Sequence, residues 1–446
     1  MDYLADLHLH SKYSRAVSQS MTLPLMAEYA RQKGLDILTA SDFTHTLWFK
    51  EIQALLEESG EGVYKLKGGA KDKREVLFLL STEISSIYKQ GDKLRRIHNL
   101  VFVPNLETAE KVNKELLKRG CNLSADGRPI IGLSARNLLE LILSIDKNCL
   151  LIPCHVWTPH FGVYGSKSGF DSLTEAFGDL AKYVYGIETG ISSDPEMNWR
   201  INELTNRSIL SFSDAHSPRN MAREATAFKL DEPSYANIRK AIMRIDGDSN
   251  KVSYTIEFYP EEGKYHFSGH RNCKVSLTPK ELEEKGKICP VCKRELTEGV
   301  APRIEQLAGA DFAKCYQEKV SKSGVKWYTD KTGNHPPYVK LVRLEQVIAA
   351  GLGVTTASQR VPEMYDKLYR ELGAEIDILL KADVKDIERV ADKQIAKTVS
   401  KVRSGDIVVD PGFDGEYGKV KIWSEEEKLA KALDLKKDTP QLSFDI

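Results

Sequence analysis

Between residues 3 and 216, apolar runs of strand length alternate with segments whose apolar residues fall at helical spacing. The runs are Tyr3–His10, Asp36–Asp42, Glu75–Tyr88, Ile97–Pro104, Asn148–Val156, Val184–Ile191 and Ser208–His216. Leu23–Lys33 (ended by Gly34), Glu107–Arg119, Ala135–Asp146 and Ser172–Lys182 read as the helices between them. Such alternation predicts parallel strands joined by crossovers, in an open sheet or a barrel. Side chains at the C-terminal ends of parallel barrel strands converge, so what stands there constrains the chain most. The first run carries His8 and His10, placed on one face by period two, with Leu7 and Leu9 on the other. The second ends in Asp42, with His45 just beyond. The third carries Glu83, His98 opens the fourth, and the fifth ends in His155. The sixth holds Glu188, and the last supplies Asp214 and His216. Imidazoles and carboxylates gathered at strand ends predict a metal site.

The bulk numbers fit a multidomain globular protein. At 446 residues two or three domains are expected, and 41% hydrophobic with 8% aromatic residues is a globular composition. Sixty-four basic residues balance sixty-four acidic ones, so a polyanionic partner would have to be held by a local patch. With no apolar leader and no run of membrane-spanning length, a cytoplasmic protein with no membrane partner is predicted.

Asp6-Leu7-His8-Leu9-His10, Ser41-Asp42-Phe43-Thr44-His45, Glu83, His98, His155 and Ser213-Asp214-Ala215-His216 resemble the polymerase-and-histidinol-phosphatase (PHP) family. Gly186 to Arg200, with Asp214-Ala215-His216-Ser217-Pro218, resembles more closely its endonuclease Q branch, and the likeness covers nearly the whole chain. The resemblance implies a distorted seven-stranded α/β barrel over 1–255 with a multinuclear metal centre. It also implies cleavage of the DNA backbone 5′ to deaminated bases (hypoxanthine, uracil, xanthine) and abasic sites. By the same resemblance one metal takes His8, His10, Glu83 and Asp214, and a second shares Glu83 and adds His98 and His155. A third site would lie around His216 with Asp42 or His45, but Ser14, Arg15 and Phe43 stand where the pattern places other residues. Paired cations roughly 3.5–4 Å apart can clamp a phosphodiester and activate water. Asp214 is the candidate to position or deprotonate that water, His216 to orient the leaving oxygen, Glu83 to bridge, and Glu188 to orient a ligand from behind. The donors suit zinc, manganese or iron, with Mg²⁺ or Mn²⁺ the expected catalytic ions.

Beyond residue 255 the alternation stops. Cys121, Cys149, Cys154 and Cys315 lack close cysteine partners and read as buried thiols. His270-Arg271-Asn272-Cys273, fifteen residues, and Cys289-Pro290-Val291-Cys292 have the spacing of a zinc ribbon, predicting a structural Zn²⁺ module over 256–300. His266 is the alternative first ligand, and the two-residue gap favours His270.

Residues 301–446 are expected to be mainly helical, with helices over Val339–Ala350, Met364–Leu372 and Ile387–Val402, the last started at Asp383 or Asp386. The glycine-rich stretch 411–420 reads as a turn leading into a strand at Val420–Trp423. By the resemblance, this region and the zinc module grip double- or single-stranded DNA at the lesion. DNA-contact candidates are Lys93, Arg95 and Arg96 beside His98, the basic run Lys65–Arg74, and Trp199 with Arg200. Trp157, Trp199, Trp327, Tyr328 and Tyr338 are stacking candidates for a displaced base. The tail, Gln441-Leu442-Ser443-Phe444, looks flexible and resembles sliding-clamp docking peptides. Competing readings are a PHP-type phosphatase of small monoesters and a noncatalytic nucleic-acid-binding protein.

Overall fold

The computed structural model describes residues 1–69, 74–308 and 316–427. The fold is mixed α/β around a large central sheet. All seven predicted runs form strands: β1 (Asp2–Asp6), β2 (Ile37–Thr39), β3 (Leu77–Gln90), β4 (Lys93–Val103), β5 (Leu150–Pro153), β6 (Gly186–Glu188) and β7 (Ser208–Leu210). The predicted helices Leu23–Lys33 and Ala135–Ile145 form as read; the latter is capped by the Ser134 side chain, which accepts from Asn137 N–H.

The expectation of uniformly parallel strands is corrected. β1–β2, β2–β3 and β6–β7 are parallel, but β3–β4 and β4–β5 are antiparallel. Only Gly91 and Asp92 separate β3 from β4, and Gly91 has φ +60°. Two residues close a hairpin, whereas a parallel pair needs a crossover of roughly a dozen. Register runs from Leu80 opposite Val103 to Gln90 opposite Lys93, so Glu83 and His98 lie inside one hairpin and not at two strand exits. The ring is completed more loosely. Val156 N–H donates to the Glu188 carbonyl beyond β5, and Leu9 forms a parallel bridge with Ala215 beyond β1 and β7.

An apolar cluster including Ala5, Leu7, Ile37, Leu77, Leu79, Leu100, Phe102, Leu150, Ile152, Leu210 and Phe212 fills one face of these strands. Strand alternation places Glu83 on the face of Leu77 and Leu79, and His98 on that of Leu100 and Phe102. Glu83 and His98 therefore stand on the face that carries this cluster.

The sheet continues past the ring through β8 (Ala225–Lys229), β9 (Lys251–Glu257) and β10 (Tyr338–Lys340). β10 pairs in parallel with Thr255–Glu257, so the expected boundary at residue 300 is not a seam in the sheet. The C-terminal third opens with helix Val300–Leu307, continues with strands Tyr316–Val320 and Lys326–Asp330, and then turns mainly helical, over Leu344–Leu352, Arg360–Leu372, Glu375–Leu380, Val384–Val390 and Lys393–Ser404. The start of the helix expected from Val339 is β10. The helix expected over Ile387–Val402 is two: Asp383 caps the first, the chain breaks at Ala391, and Asp392 caps the second by accepting from Ile395 N–H. The helices dock on the ring through buried Lys33, whose Nζ lies 2.6 Å from Glu375, which also accepts from Tyr365 and Leu344 N–H. Val408–Asp410 pairs antiparallel with Lys419–Lys421 across the glycine-rich stretch. Among the described residues no helix is long and apolar enough to cross a membrane. Residues 70–73 of the basic run, together with Cys315 and the 441–444 tail, lie outside the described residues, whereas Lys65 pairs with Glu75 and Arg74 with Asp36.

Candidate metal centre

At the rim of the ring the chain turns sharply. Asp42, His155 and Asp214 all have left-handed backbone, with φ of +57°, +30° and +47°. Non-glycine residues held there cost about 1–3 kcal/mol each, and such strain concentrates at functional sites.

The side chains so aimed converge. Two triads that could each hold a cation share Glu83: His8, His10 and Glu83, and Glu83, His98 and His155. Glu83 Oε2 lies 3.4 Å from His10 Nε2 and 3.9 Å from His8 Nε2, while Oε1 lies 2.5 Å from His98 Nδ1 and 3.3 Å from His155 Nε2. Asp214 Oδ1 is 2.9 Å from His10 Nε2 and 3.7 Å from His8 Nε2. The structure thus gathers both ligand sets that the resemblance implied.

Each histidine that follows β1 is held from behind. His8 Nδ1 donates to Glu188 Oε1 at 2.8 Å, and Glu188 Oε2 accepts from His155 N–H at 2.8 Å. His10 Nδ1 donates to Asp42 Oδ1 at 3.2 Å, and Asp42 Oδ2 accepts from Ser11 N–H and Ser14 Oγ. Carboxylates at Nδ1 leave Nε2 as the coordinating atom of both rings. His8 Nε2 and Glu83 Oε2 are buried without a hydrogen-bond partner, as expected of atoms built to face a cation. The residues fit a metal centre.

Electrostatics agree. Burial opposes charge on His10, but Asp42 and Asp214 outweigh it and raise its pKa to about 9; Glu188 and Asp214 likewise raise His8. Burial would raise Glu83 and Asp214, yet the surrounding histidines hold both below the ordinary carboxylate range. Burial lowers His98 and His216, with the Arg128 charge adding to the effect. A cation would have to displace the protons that these carboxylates hold on His8 and His10, so its affinity falls as pH falls.

The third set is only partly assembled. His10, Asp214 and His216 come together, with His216 Nδ1 3.6 Å from Asp214 Oδ1. Asp42 is turned to orient His10, not to add a ligand. His45 is not brought to the cluster: it caps helix Thr46–Leu55, its Nδ1 accepting from Trp48 N–H, and its ring stacks on Tyr13 at 4.5 Å. Phe43 is buried. Sequence reasoning missed Arg128, whose Nη1 lies 3.5 Å from His216 Nε2 and whose Nε lies 4.0 Å from Glu83 Oε2. It comes from the turn 124–130, which shows no periodicity to read. Cys154 also lies within ligand distance of His8 and Glu188, but burial pushes its thiol well above the ordinary range, so it stays protonated.

The cluster opens into a cleft of about 530 Å³ lined by Arg96, Arg128, Thr158, His160, Phe161, Ile191 and Tyr265 together with the ligands. The DNA-contact candidates divide. Arg96 lines this cleft and Lys93 is exposed. Arg95, on the opposite face of β4, stacks 3.8 Å from the Phe170 ring and donates to the Gly169 carbonyl, so it braces a loop. Trp199 is buried between His335 and Tyr338, and Arg200 makes a two-pronged pair with Glu305 at 2.6 and 2.7 Å. Trp157 and Tyr338 are buried in the core, and Trp327 and Tyr328 are packed against it.

The four residues of the second predicted site are brought together. His270, Cys273, Cys289 and Cys292 fall within ligand distance of one another, and His266 is outside the group. Backbone N–H groups of Cys292 and Val291 lower the Cys289 thiol to about 6 and so favour the thiolate. Beneath lies a small separate core of Leu277, Leu282, Cys289 and Leu296.

Residues 343–406 match the family described as the MJ0043 C-terminal domain. The uncharacterized protein YqxK of Bacillus subtilis is 28% identical over 433 residues, covering 94% of this chain and 98% of that protein. The uncharacterized protein MJ0043 of Methanocaldococcus jannaschii is 28% identical over 271 residues, 59% of this chain but 31% of that longer protein. The lesion-specific endonuclease Q of Pyrococcus furiosus superposes with a TM-score of 0.79 at 30% identity, covering 99% of this chain and 100% of that one. An endonuclease Q complex with a 27-mer duplex bearing an abasic lesion at the active site gives the same score and identity, covering 96% and 98%.

Proposed function

This chain belongs to the endonuclease Q family, and from that premise we propose that it is a metal-dependent DNA repair endonuclease that cuts the backbone 5′ to abasic sites and deaminated bases. The observation that carries the metal dependence is Glu83, shared between two histidine sets in which His8 Nε2 and Glu83 Oε2 are buried without partners. In this reading the ring is a PHP barrel, His8, His10, Glu83 and Asp214 hold one cation, and Glu83, His98 and His155 hold a second. Bound there, two cations would polarise the scissile phosphodiester and lower the pKa of the attacking water. The chain's own groups do the rest. Glu188 and Asp42 fix the ring orientations of His8 and His10. Asp214, held ionised by His8 and His10, accepts the water's proton or aligns it for attack. Arg96 holds backbone phosphate at the cleft mouth. The zinc ligands are His270, Cys273, Cys289 and Cys292, closed by four protein donors and hence structural.

The test is to incubate the protein and Mg²⁺, Mn²⁺ or Zn²⁺ with duplexes containing an abasic site, hypoxanthine, uracil or no lesion, and to map any nick. A nick on the 5′ side of the lesion is expected, and Asp214→Asn should lose roughly 10²–10⁴-fold in rate while still binding the duplex. Release of phosphate from monoesters without nicking would make the protein a small-molecule phosphatase. Binding without hydrolysis would make it noncatalytic.

A further inference from the structure

We propose that Arg128 is a catalytic residue, a fixed cation that contacts the scissile phosphate where the site would otherwise call on a third metal; the inference rests on the nuclease reading above. Three observations converge on it.

The first is position. Arg128 lines the cleft beside Glu83, His98 and His216, and its guanidinium reaches both the shared carboxylate and the partly assembled third group. The side residues that might complete that group are committed elsewhere: Ser14 donates to Asp42, Phe43 is buried, and His45 caps a helix.

The second is how rigidly the turn is delivered. Gly127 N–H donates to the Tyr13 carbonyl, Arg15 N–H and Arg128 N–H both donate to Asp126 Oδ1, Thr44 Oγ1 donates to the Gly127 carbonyl, and Ser85 N–H donates to that of Pro129. A Cβ at Gly127 would fall 2.2 Å from Ser14 Oγ and 2.5 Å from Asp42 Oδ2. Only glycine lets the backbone approach the carboxylate that orients His10, and the next residue is the arginine. The turn is built against the site, not merely near it.

The third is donor accounting. The guanidinium has five donors. Nη2 donates to the Arg15 carbonyl at 3.0 Å, and Nη1 only reaches His216 at 3.5 Å. Its Nε lies 3.9 Å from Asp126 Oδ1 and 4.0 Å from Glu83 Oε2, beyond hydrogen-bond reach, and the side chain, 22% exposed, lines the cleft where a substrate would bind. A guanidinium keeps its charge at any working pH and presents a fork matched to two phosphate oxygens, which an ammonium lacks. It would meet the charge developing on the nonbridging oxygens with no reorganisation.

The experiment compares wild type, Arg128→Ala and Arg128→Lys on an abasic duplex, with bound metal counted by mass spectrometry and affinity measured on an uncleavable duplex. We expect Arg128→Ala to lose roughly 10²–10³-fold in single-turnover rate, with unchanged metal content and affinity within about tenfold. Arg128→Lys should recover only a minor part, and added guanidinium should partly rescue the alanine variant. Loss of metal on substitution, or a rate within threefold of wild type, would overturn the assignment. Titration with inorganic phosphate separates the two claims. If wild type nicks nothing, the nuclease reading fails, but weaker phosphate binding by Arg128→Ala would still support the contact, and equal binding would refute it.

Discussion

Replacing Glu188 by Gln changes one atom and should be felt through the metal, not through the chemistry. Glu188 accepts from two N–H groups at once, His8 Nδ1 on Oε1 and the His155 backbone on Oε2, each at 2.8 Å. A glutamine offers one oxygen and one NH₂, so whichever way it turns, an amide donor faces an N–H donor. The lost bond is charge-assisted and buried, worth about 1.5–3 kcal/mol, or roughly 10- to 150-fold in an equilibrium constant. Partners that orient ligand histidines typically change metal affinity by about 10- to 100-fold, so two independent routes give the same size. The assay is competition with a chelator of known affinity, followed by nicking rates across a metal titration. Affinity should drop within that range and the rate should return to within a few-fold of wild type at saturating metal. Unchanged affinity, or a rate that stays low in fully metallated enzyme, would refute the orienting role.

Three more perturbations follow. Cys273→Ser, or treatment with a chelator, should unfold only the module built on Leu277, Leu282, Cys289 and Leu296, opening residues 271–296 to protease while the ring's thermal transition persists. Burial raises Glu257 to about 8 from an ordinary 4.5, although Ser211, Thr189 and Thr255 donate to it. A carboxyl raised on folding contributes stability below its unfolded pKa and loses it as pH rises through the folded one, so stability should decline between about pH 4.5 and 8. Glu257→Gln should flatten that slope by a few kcal/mol in denaturant titrations. On β4, Arg96→Ala should weaken binding to damaged and undamaged duplex alike, with a shallower salt slope, whereas Arg95→Ala should leave affinity intact and destabilise the 161–170 loop; a damage-selective loss at Arg96 would contradict the phosphate role.

What could be read in advance follows from which forces are local. Alternation of His8 and His10 with leucines is a property of the chain itself; the strand it marks ends at Asp6, and the two histidines follow directly and point to the same cluster. The two-ligand grouping around Glu83 came from the family pattern and survives in the geometry. Strand direction did not come through: the third and fourth runs read as separate parallel strands, although Gly91-Asp92 carries the hairpin signal. Arg95, Trp199 and Arg200 stand out in the sequence because charge and aromaticity are visible there, while their tertiary partners are not. Phe170, His335 and Glu305 lie 75, 136 and 105 positions away from them in the chain. The grouping of His270, Cys273, Cys289 and Cys292 is legible because chelation by closely spaced thiolates demands a spacing. Arg128 was not, because a residue delivered by a nonrepeating turn leaves no periodic trace.

The pairing of β10 with β9 bears on how the molecule can be divided. Thr255–Glu257 would be left with open backbone donors and acceptors if the chain were cut near residue 300, and Asp194, 2.7 Å from Lys340, would lose its buried counter-ion. An exposed strand edge beside an unpaired carboxylate invites self-association. The catalytic part of this enzyme is therefore not a detachable cassette. The segment that follows residue 300 returns to complete the sheet that carries Glu83 and His98, so the two parts of the chain share one mechanical frame.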